Sequence, residues 1–206
     1  MIQSGVSSAG SLLLQSVMNS FGVDVVAAIT TSYKIDSLAI LPVLNVSTAI
    51  SVFAGQSIGA GQRERARQCL RKGTQVAFGV AVGITVLLLA GGRWMIGLFG
   101  VTETVMDLGQ RFFWFLGAFY PLLAFKESIA GFLMGLKDVN YAAAVNILSL
   151  GLRVALSYLL RGPLGSDVIA VSEICSWVFA LACFALRYRG GKWKRKVEAE
   201  LAAKGL

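Results

Sequence analysis

The sequence predicts an all-α polytopic membrane protein, a bundle of six transmembrane helices. Three observations carry this expectation. The 206 residues are 56% hydrophobic and only 15% charged, and their mean hydropathy is +0.70, far above ordinary soluble domains. Nearly uncharged runs recur at the length of about 20 residues that a helix needs to cross the hydrocarbon core. The formal charge of +8 is confined to the flanks of those runs, where it sets topology and does not suggest binding of nucleic acid.

The first expected crossing runs from Ile2 to Val23. Ser4, Ser8, Ser11, Gln15 and Asn19 recur along it every three or four residues and draw one polar stripe down a single face. Lipid tails offer no hydrogen bonds, so that face looks inward, either as interhelical glue or as the wall of a solvated cavity. The second crossing, Ser37 to Gly59, carries Pro42, which removes an intrahelical hydrogen bond and predicts a kink. Asn45, Ser47, Thr48 and Ser51 follow and can satisfy the freed groups. Lys34 and Asp36 flank the start of this crossing and are read as capping it at the interface. Residues 61–72 (GQRERARQCLRK) are too charged for lipid and amphipathic enough to lie on its surface.

The third crossing spans Thr74 to Gly92 and the fourth Phe112 to Leu133. The fourth is rich in aromatic residues (Phe112, Phe113, Trp114, Phe115, Phe119, Tyr120, Phe125, Phe132), which serve as an interfacial belt, as packing, or as the lining of a cavity for flat organic cations. Glu127 lies deep in it beside Lys126. It is either a proton carrier or the partner of Lys126 or another helix, or it snorkels to the cytoplasmic interface. The fifth and sixth crossings are Tyr141 to Leu160 and Val168 to Leu186. Arg153 and Glu173 fall at matching depths, roughly 9 to 11 Å below the outer surface at about 1.5 Å per residue, and are expected to form an intramembrane ion pair. Ser51, Gly55 and Gly59, Gly79 with Gly83, and Gly131 with Gly135 form small-residue series that permit close helix contact.

Most of the 19 basic residues fall on one side if residues 61–72, the Lys137 turn and the C-terminal segment are cytoplasmic. Both termini are therefore expected inside. Residues 1–188 form the transmembrane lobe and 189–206 a basic tail, whose cations around Trp193 anchor it on anionic lipid. The sequence holds no histidine and 3 cysteines without CxxC spacing, which excludes histidine relays, zinc motifs and a disulfide framework. Its aspartates are scattered over different loops, so neither an enzyme nor a cofactor or metal site is expected.

LLQSVMNSFG, VAAITTSYKIDSLAILP and SVFAGQSIGAG in the stretch ending at Gly61 strongly resemble the multidrug and toxic compound extrusion (MATE) family. RKGTQ at 71–75, FYPLLAF at 119–125, MGLKD at 134–138 and the SEICSW stretch ending at Trp177 fit the same six-helix lobe, the family's second, in the same order. The resemblance implies the C-terminal half of a secondary antiporter in the plasma (bacterial inner) membrane. Such a transporter exports amphipathic or cationic drugs in exchange for protons or sodium ions by rocking two lobes around a central cavity. It also implies a partner, either a matching N-terminal six-helix lobe or a second copy of this chain, and suggests a fragment, a mis-called start or a split gene. Gln15 and Asn19 match the face that looks into the family's cavity, and Asn45 and Tyr120 are taken with them as its substrate-facing candidates. Gly55, Gln56, Gly59 and Ala60 match its GQ-x-x-GA helix end, a site of lobe packing. One branch of the family carries coupling acids where this chain has Ser7 and Leu123, so coupling would rely first on an acid of the absent N-terminal lobe, with Glu127 and Asp36 as this lobe's ion-coupling candidates. Alternatives are half of a lipid-linked precursor flippase, which would be expected to have a more cationic cavity, and a non-transporting truncated scaffold.

Overall fold

The computed structural model describes residues 2–191, and side chains from Gly5 onward except those of Val6 and Ser7. Residues 192–206 of the basic tail expected at 189–206, with Trp193, lie outside the described residues, as does the Ser4 side chain of the polar stripe. The helices are α1 (Ile2–Asn19), α2 (Val23–Ala39), α3 (Leu41–Gly59), α4 (Arg63–Gly97), α5 (Glu103–Gly117), α6 (Tyr120–Gly135), α7 (Val139–Leu164) and α8 (Val168–Arg189). The described residues include no strand.

Leu41–Gly59, Arg63–Gly97 and the 51-residue stretch Val139–Arg189 are long and apolar enough to cross a membrane, and α5 with α6 passes the same test as one bent pair. The 51-residue stretch folds back at Gly165, whose φ of 55° suits a residue without a Cβ. Contacts from Asp138 to Arg187, Tyr141 to Cys183 and Ser157 to Ser172 then zip α7 and α8 together as an antiparallel hairpin. With α1 and the α2–α3 pair, the chain makes six passes through an all-α membrane bundle.

Three expected boundaries are corrected. The second pass begins at Val23, not Ser37, so Asp36 lies roughly 20 Å along its helix at about 1.5 Å per residue and does not cap an interface. The charges that suggested a boundary are accommodated instead: Asp36 is hydrogen-bonded, and the Lys34 ammonium lies 5.9 Å from the centre of the Phe99 ring. Residues 63–72 are not a separate surface segment but the opening turns of α4, which runs 35 residues without a break. Ala66 and Leu70 are buried there against Ile58 and its neighbours, which joins this amphipathic end to the bundle. The fourth pass is two helices bent by 52°, with Pro121 in the first turn of α6.

Pro42 likewise sits in the first turn of α3, directly after the interruption at Ile40. The two broken passes run parallel. Tyr33 packs edge-on to Phe112, Asp36 meets Tyr120, and Ser47 donates a 2.7 Å hydrogen bond to the Glu127 carbonyl. Along α3 and α6 the backbones nearly touch. A Cβ at Gly131 would collide with the Ser47 carbonyl, one at Gly135 with that of Ser51, and one at Gly55 would lie 3.0 Å from the Gly135 oxygen. Gly131, Gly135 and Gly55 therefore pack as the small-residue spacing suggests. Gly79 and Gly83 do not, and neither does Gly59, which has nothing within 4 Å; Gln56 is exposed. In this lobe the packing role expected of Gly55, Gln56 and Gly59 belongs to Gly55 alone, because the other two point away from α6.

Alanine at Gly131 or Gly135 should force α3 and α6 apart and cost about 1 to 3 kcal/mol, the usual penalty of overpacking. Alanine at Gly79 should be neutral. Thermal unfolding of the purified protein in detergent checks both, with a lowered midpoint for the first two substitutions and none for the third.

Candidate functional site

A cavity of about 390 Å³ opens beside α1, α2, α7 and α8, lined by Ser11, Leu14, Gln15, Met18, Tyr33, Asp36, Ser37, Ile40, Arg153 and Glu173. Each helix contributes for a local reason. The polar stripe of α1 brings Ser11 and Gln15 to the wall, and Gln15 Nε2 donates to Asn19 Oδ1 at 3.2 Å. On α2, Tyr33, Asp36, Ser37 and Ile40 recur at helical spacing and share one face. The antiparallel α7–α8 hairpin brings Arg153 opposite Glu173.

The back wall is a closed polar triangle. The Arg153 guanidinium donates through Nη2 to Glu173 Oε2 at 3.0 Å and to the Tyr33 hydroxyl at 2.5 Å, while Tyr33 donates to the same Glu173 oxygen at 3.1 Å. The guanidinium also lies 5.8 Å from the Tyr33 ring centre, within reach of a cation–π attraction. The pair is largely withdrawn from solvent, with Arg153 18% and Glu173 9% exposed. Below it, Ser157 donates to Ser172 at 2.8 Å and locks the two helices. One turn from Tyr33, the Asp36 carboxylate accepts a hydrogen bond from the Tyr120 hydroxyl. Asp36 is 7% exposed. When both acids are ionised the cluster therefore holds two carboxylates and one guanidinium, and the Asp36 carboxylate has the Tyr120 hydroxyl as its direct partner.

The sequence-based candidates separate in space. Arg153, Glu173, Asp36 and Gln15 come together at the cavity. Tyr120 does not line it: its side chain is fully buried behind Asp36, with its ring centre 6.1 Å from that of Trp177. Asn45 lies exposed on α3 beyond the Pro42 break and is not part of the wall, and Asn19 reaches it only through Gln15. Glu127 does not line it; on α6 it is paired with its neighbour Lys126 at 2.5 Å and is 19% exposed. No aromatic residue of α5 or α6 lines the cavity, so the cation-binding lining considered for that segment is not found here; Trp114 instead is exposed on the outside of α5.

Tyr33 is the residue that sequence reasoning missed. Its signal was present in TSYKID, where Tyr33 and Asp36 stand one turn apart, but the segment was read as a connection and not as helix. Among the described residues no group of three or more histidine, cysteine, aspartate or glutamate side chains converges as a metal site.

Removing one partner of a buried pair leaves an uncompensated charge. Arg153→Met should therefore destabilise the protein by about 3 to 5 kcal/mol, and adding Glu173→Gln should restore most of that loss. A double-mutant cycle on unfolding midpoints in detergent reads this directly.

Residues 1–159 match the MatE family. The chain is 27% identical over 194 residues to a probable multidrug resistance protein, YpnP, of Bacillus subtilis, covering 94% of this chain and 44% of that protein. It is 23% identical to the probable multidrug resistance protein NorM of Thermotoga maritima, covering 95% and 43% respectively. Its fold matches an outward-facing multidrug resistance MATE family transporter of the MOP superfamily with a TM-score of 0.83 at 21% identity, over 90% of this chain and 42% of that one. A MOP superfamily transporter from Pyrococcus furiosus, described as having a binding pocket of reversed polarity, matches equally well, with a TM-score of 0.83. The chain thus spans less than half the length of the relatives it matches. With the family matched over most of its residues and the same helical path, the chain belongs to the MatE family.

Proposed function

We propose that the chain is the C-terminal lobe of a multidrug efflux antiporter, working with a complementary N-terminal six-helix lobe in the bacterial inner membrane, both termini cytoplasmic. Amphipathic or cationic drugs are its cargo, and entry of protons or sodium ions drives their export. The observation that carries this reading is the cavity beside α1, α2, α7 and α8, where a space of about 390 Å³, apolar side chains (Leu14, Met18, Ile40) and a carboxylate in excess of its guanidinium meet at intramembrane depth. Ionisable groups at that depth are costly and mark ion or substrate paths.

Alternating access needs an element that moves and a charge that changes. The parallel interruptions at Ile40 and at 118–119 supply the first, since at each the chain leaves one helix and enters another whose first turn carries a proline. Asp36 supplies the second. It sits on the cavity wall, and its hydrogen bond to Tyr120 joins the end of α2 to the start of α6, so loss of its negative charge would weaken a link between the two broken passes. Glu127 lacks these features: its charge is matched by Lys126, and it does not line the cavity.

Efflux of a fluorescent cationic dye from drug-sensitive cells tests the proposal. Expression with the complementary lobe should confer efflux, Asp36→Asn should reduce it at least about fivefold, the lower end of typical coupling energies, and Glu127→Gln should leave it and its pH dependence intact. Efflux unaffected by Asp36→Asn would remove Asp36 from the coupling step, and no efflux with any matching lobe would overturn the transporter reading.

A further inference from the structure

The cytoplasmic end of α4 carries a charged groove that the transport cycle described above does not use. Its volume is about 370 Å³, and it is lined by Glu64, Arg67, Gln68, Leu70, Arg71 and Tyr188. Glu64, Arg67, Gln68 and Arg71 follow the i, i+3, i+4, i+7 pattern of one helix face. Ala66 is buried on the other side, holding the helix against the bundle, and Leu70, also buried, closes the groove from below. The opposite bank is the end of α8, where Tyr188 packs its ring 5.7 Å from that of Phe132 and so stands fixed at the rim.

The cations in this region are used unequally. Arg187, next to Tyr188, is spent on Asp138, to which it donates from Nε at 2.8 Å and from Nη2 at 3.1 Å. Arg65 donates to Gln62 at 3.1 Å and is not part of the groove. Arg67 has only a loose contact, 3.7 Å from Glu64, with both side chains more than half exposed. Arg71 has no carboxylate within ion-pair distance among the described residues. Two guanidiniums one turn apart therefore face a concave space, with one weakly engaged acid at its edge and an apolar floor at Leu70.

We propose that this groove binds the phosphate of an anionic phospholipid of the cytoplasmic leaflet, with Arg67 and Arg71 as the phosphate ligands and Leu70 and Tyr188 against the glycerol and upper acyl region. Planar guanidiniums suit a phosphate diester because they donate two parallel hydrogen bonds to its oxygens. The position favours a lipid over a soluble phosphate. The groove lies within two turns of Thr74, where the lipid-length part of α4 begins, and just past Leu186, where that of α8 ends. The anionic surface there attracts cations within about a Debye length. A lipid bound here would join the ends of α4 and α8. The site rests on the cytoplasmic placement of this face but not on any coupling ion or drug.

Native mass spectrometry of the full chain, purified with its complementary lobe and titrated with phosphatidylglycerol, tests this. One phosphatidylglycerol should be retained per chain and phosphatidylcholine should not. The double substitution Arg67→Gln with Arg71→Gln should weaken retention about twenty-five-fold, at about fivefold for each cation near the surface. Arg65→Gln, equally exposed and equally basic, should leave it unchanged and serves as the control for general charge loss. Equal retention of phosphatidylcholine, equal losses in the Arg65 and Arg67/Arg71 variants, or displacement of the lipid by millimolar inorganic phosphate or ATP would each overturn the assignment. The last outcome would identify a soluble phosphate as the ligand.

Discussion

A guanidinium held between apolar helices can stay charged only if carboxylate and hydroxyl oxygens come to it, and much of this lobe is arranged around meeting that demand at Arg153. The glutamate arrives on α8 and the tyrosine on α2, so one desolvated charge specifies the mutual placement of three helices that are far apart in sequence. An unpaired charge at such depth costs several kcal/mol, whereas shifted packings of aliphatic side chains differ far less. The triangle thus selects one register of α2 against the α7–α8 hairpin. Once α2 is fixed there, Asp36 is carried to the cavity wall and Tyr120 to the position behind it.

The second constraint is the close approach of α3 and α6. Membrane helices gain no hydrophobic driving force from one another, and small residues that let backbones meet take over that role. Gly131 and Gly135 provide this, and they make the halves of the two broken passes beyond the prolines into one rigid pair. The halves before the prolines are joined differently, through polar contacts and the Tyr33 to Phe112 ring pair. Rigid backbone contact on one side of the breaks and titratable contact on the other is an arrangement in which a change of charge can be converted into a change of angle.

Much of this was legible in the sequence. The helical membrane class followed from composition, the depth match of Arg153 and Glu173 followed from counting residues from a shared turn, and the glycines of α6 stood out by their spacing. The start of the second pass was not legible. Asp24, Lys34 and Asp36 make α2 look like a connection to any reading that treats charge as the edge of a membrane, and only tertiary partners from α5, α6, α7 and α8 reveal it as a buried helix. The same oversight hid Tyr33. The bend at 118–119 was missed for a different reason: Pro121 stands in an aromatic run whose hydrophobicity is uninterrupted, so the window that finds the crossing is blind to its break. The exposure of Asn45, Gln56 and Gly59 follows from helix phase, and the sequence pattern does not fix phase across the Pro42 interruption.

In the proposed transporter the wall carrying Ser37, Asp36 and Arg153 faces water within the membrane and not lipid. Thiol accessibility tests it most directly. With Cys69, Cys175 and Cys183 replaced by alanine, Ser37→Cys and Leu148→Cys are compared in cells that also express the complementary lobe. Leu148 is 60% exposed on α7 and serves as the lipid-facing comparison. The account predicts that a membrane-impermeant charged maleimide labels Ser37→Cys, that a transported cationic dye slows this labelling, and that Leu148→Cys stays unlabelled. An unreactive Ser37→Cys, or one labelled at the same rate as Leu148→Cys, would contradict it.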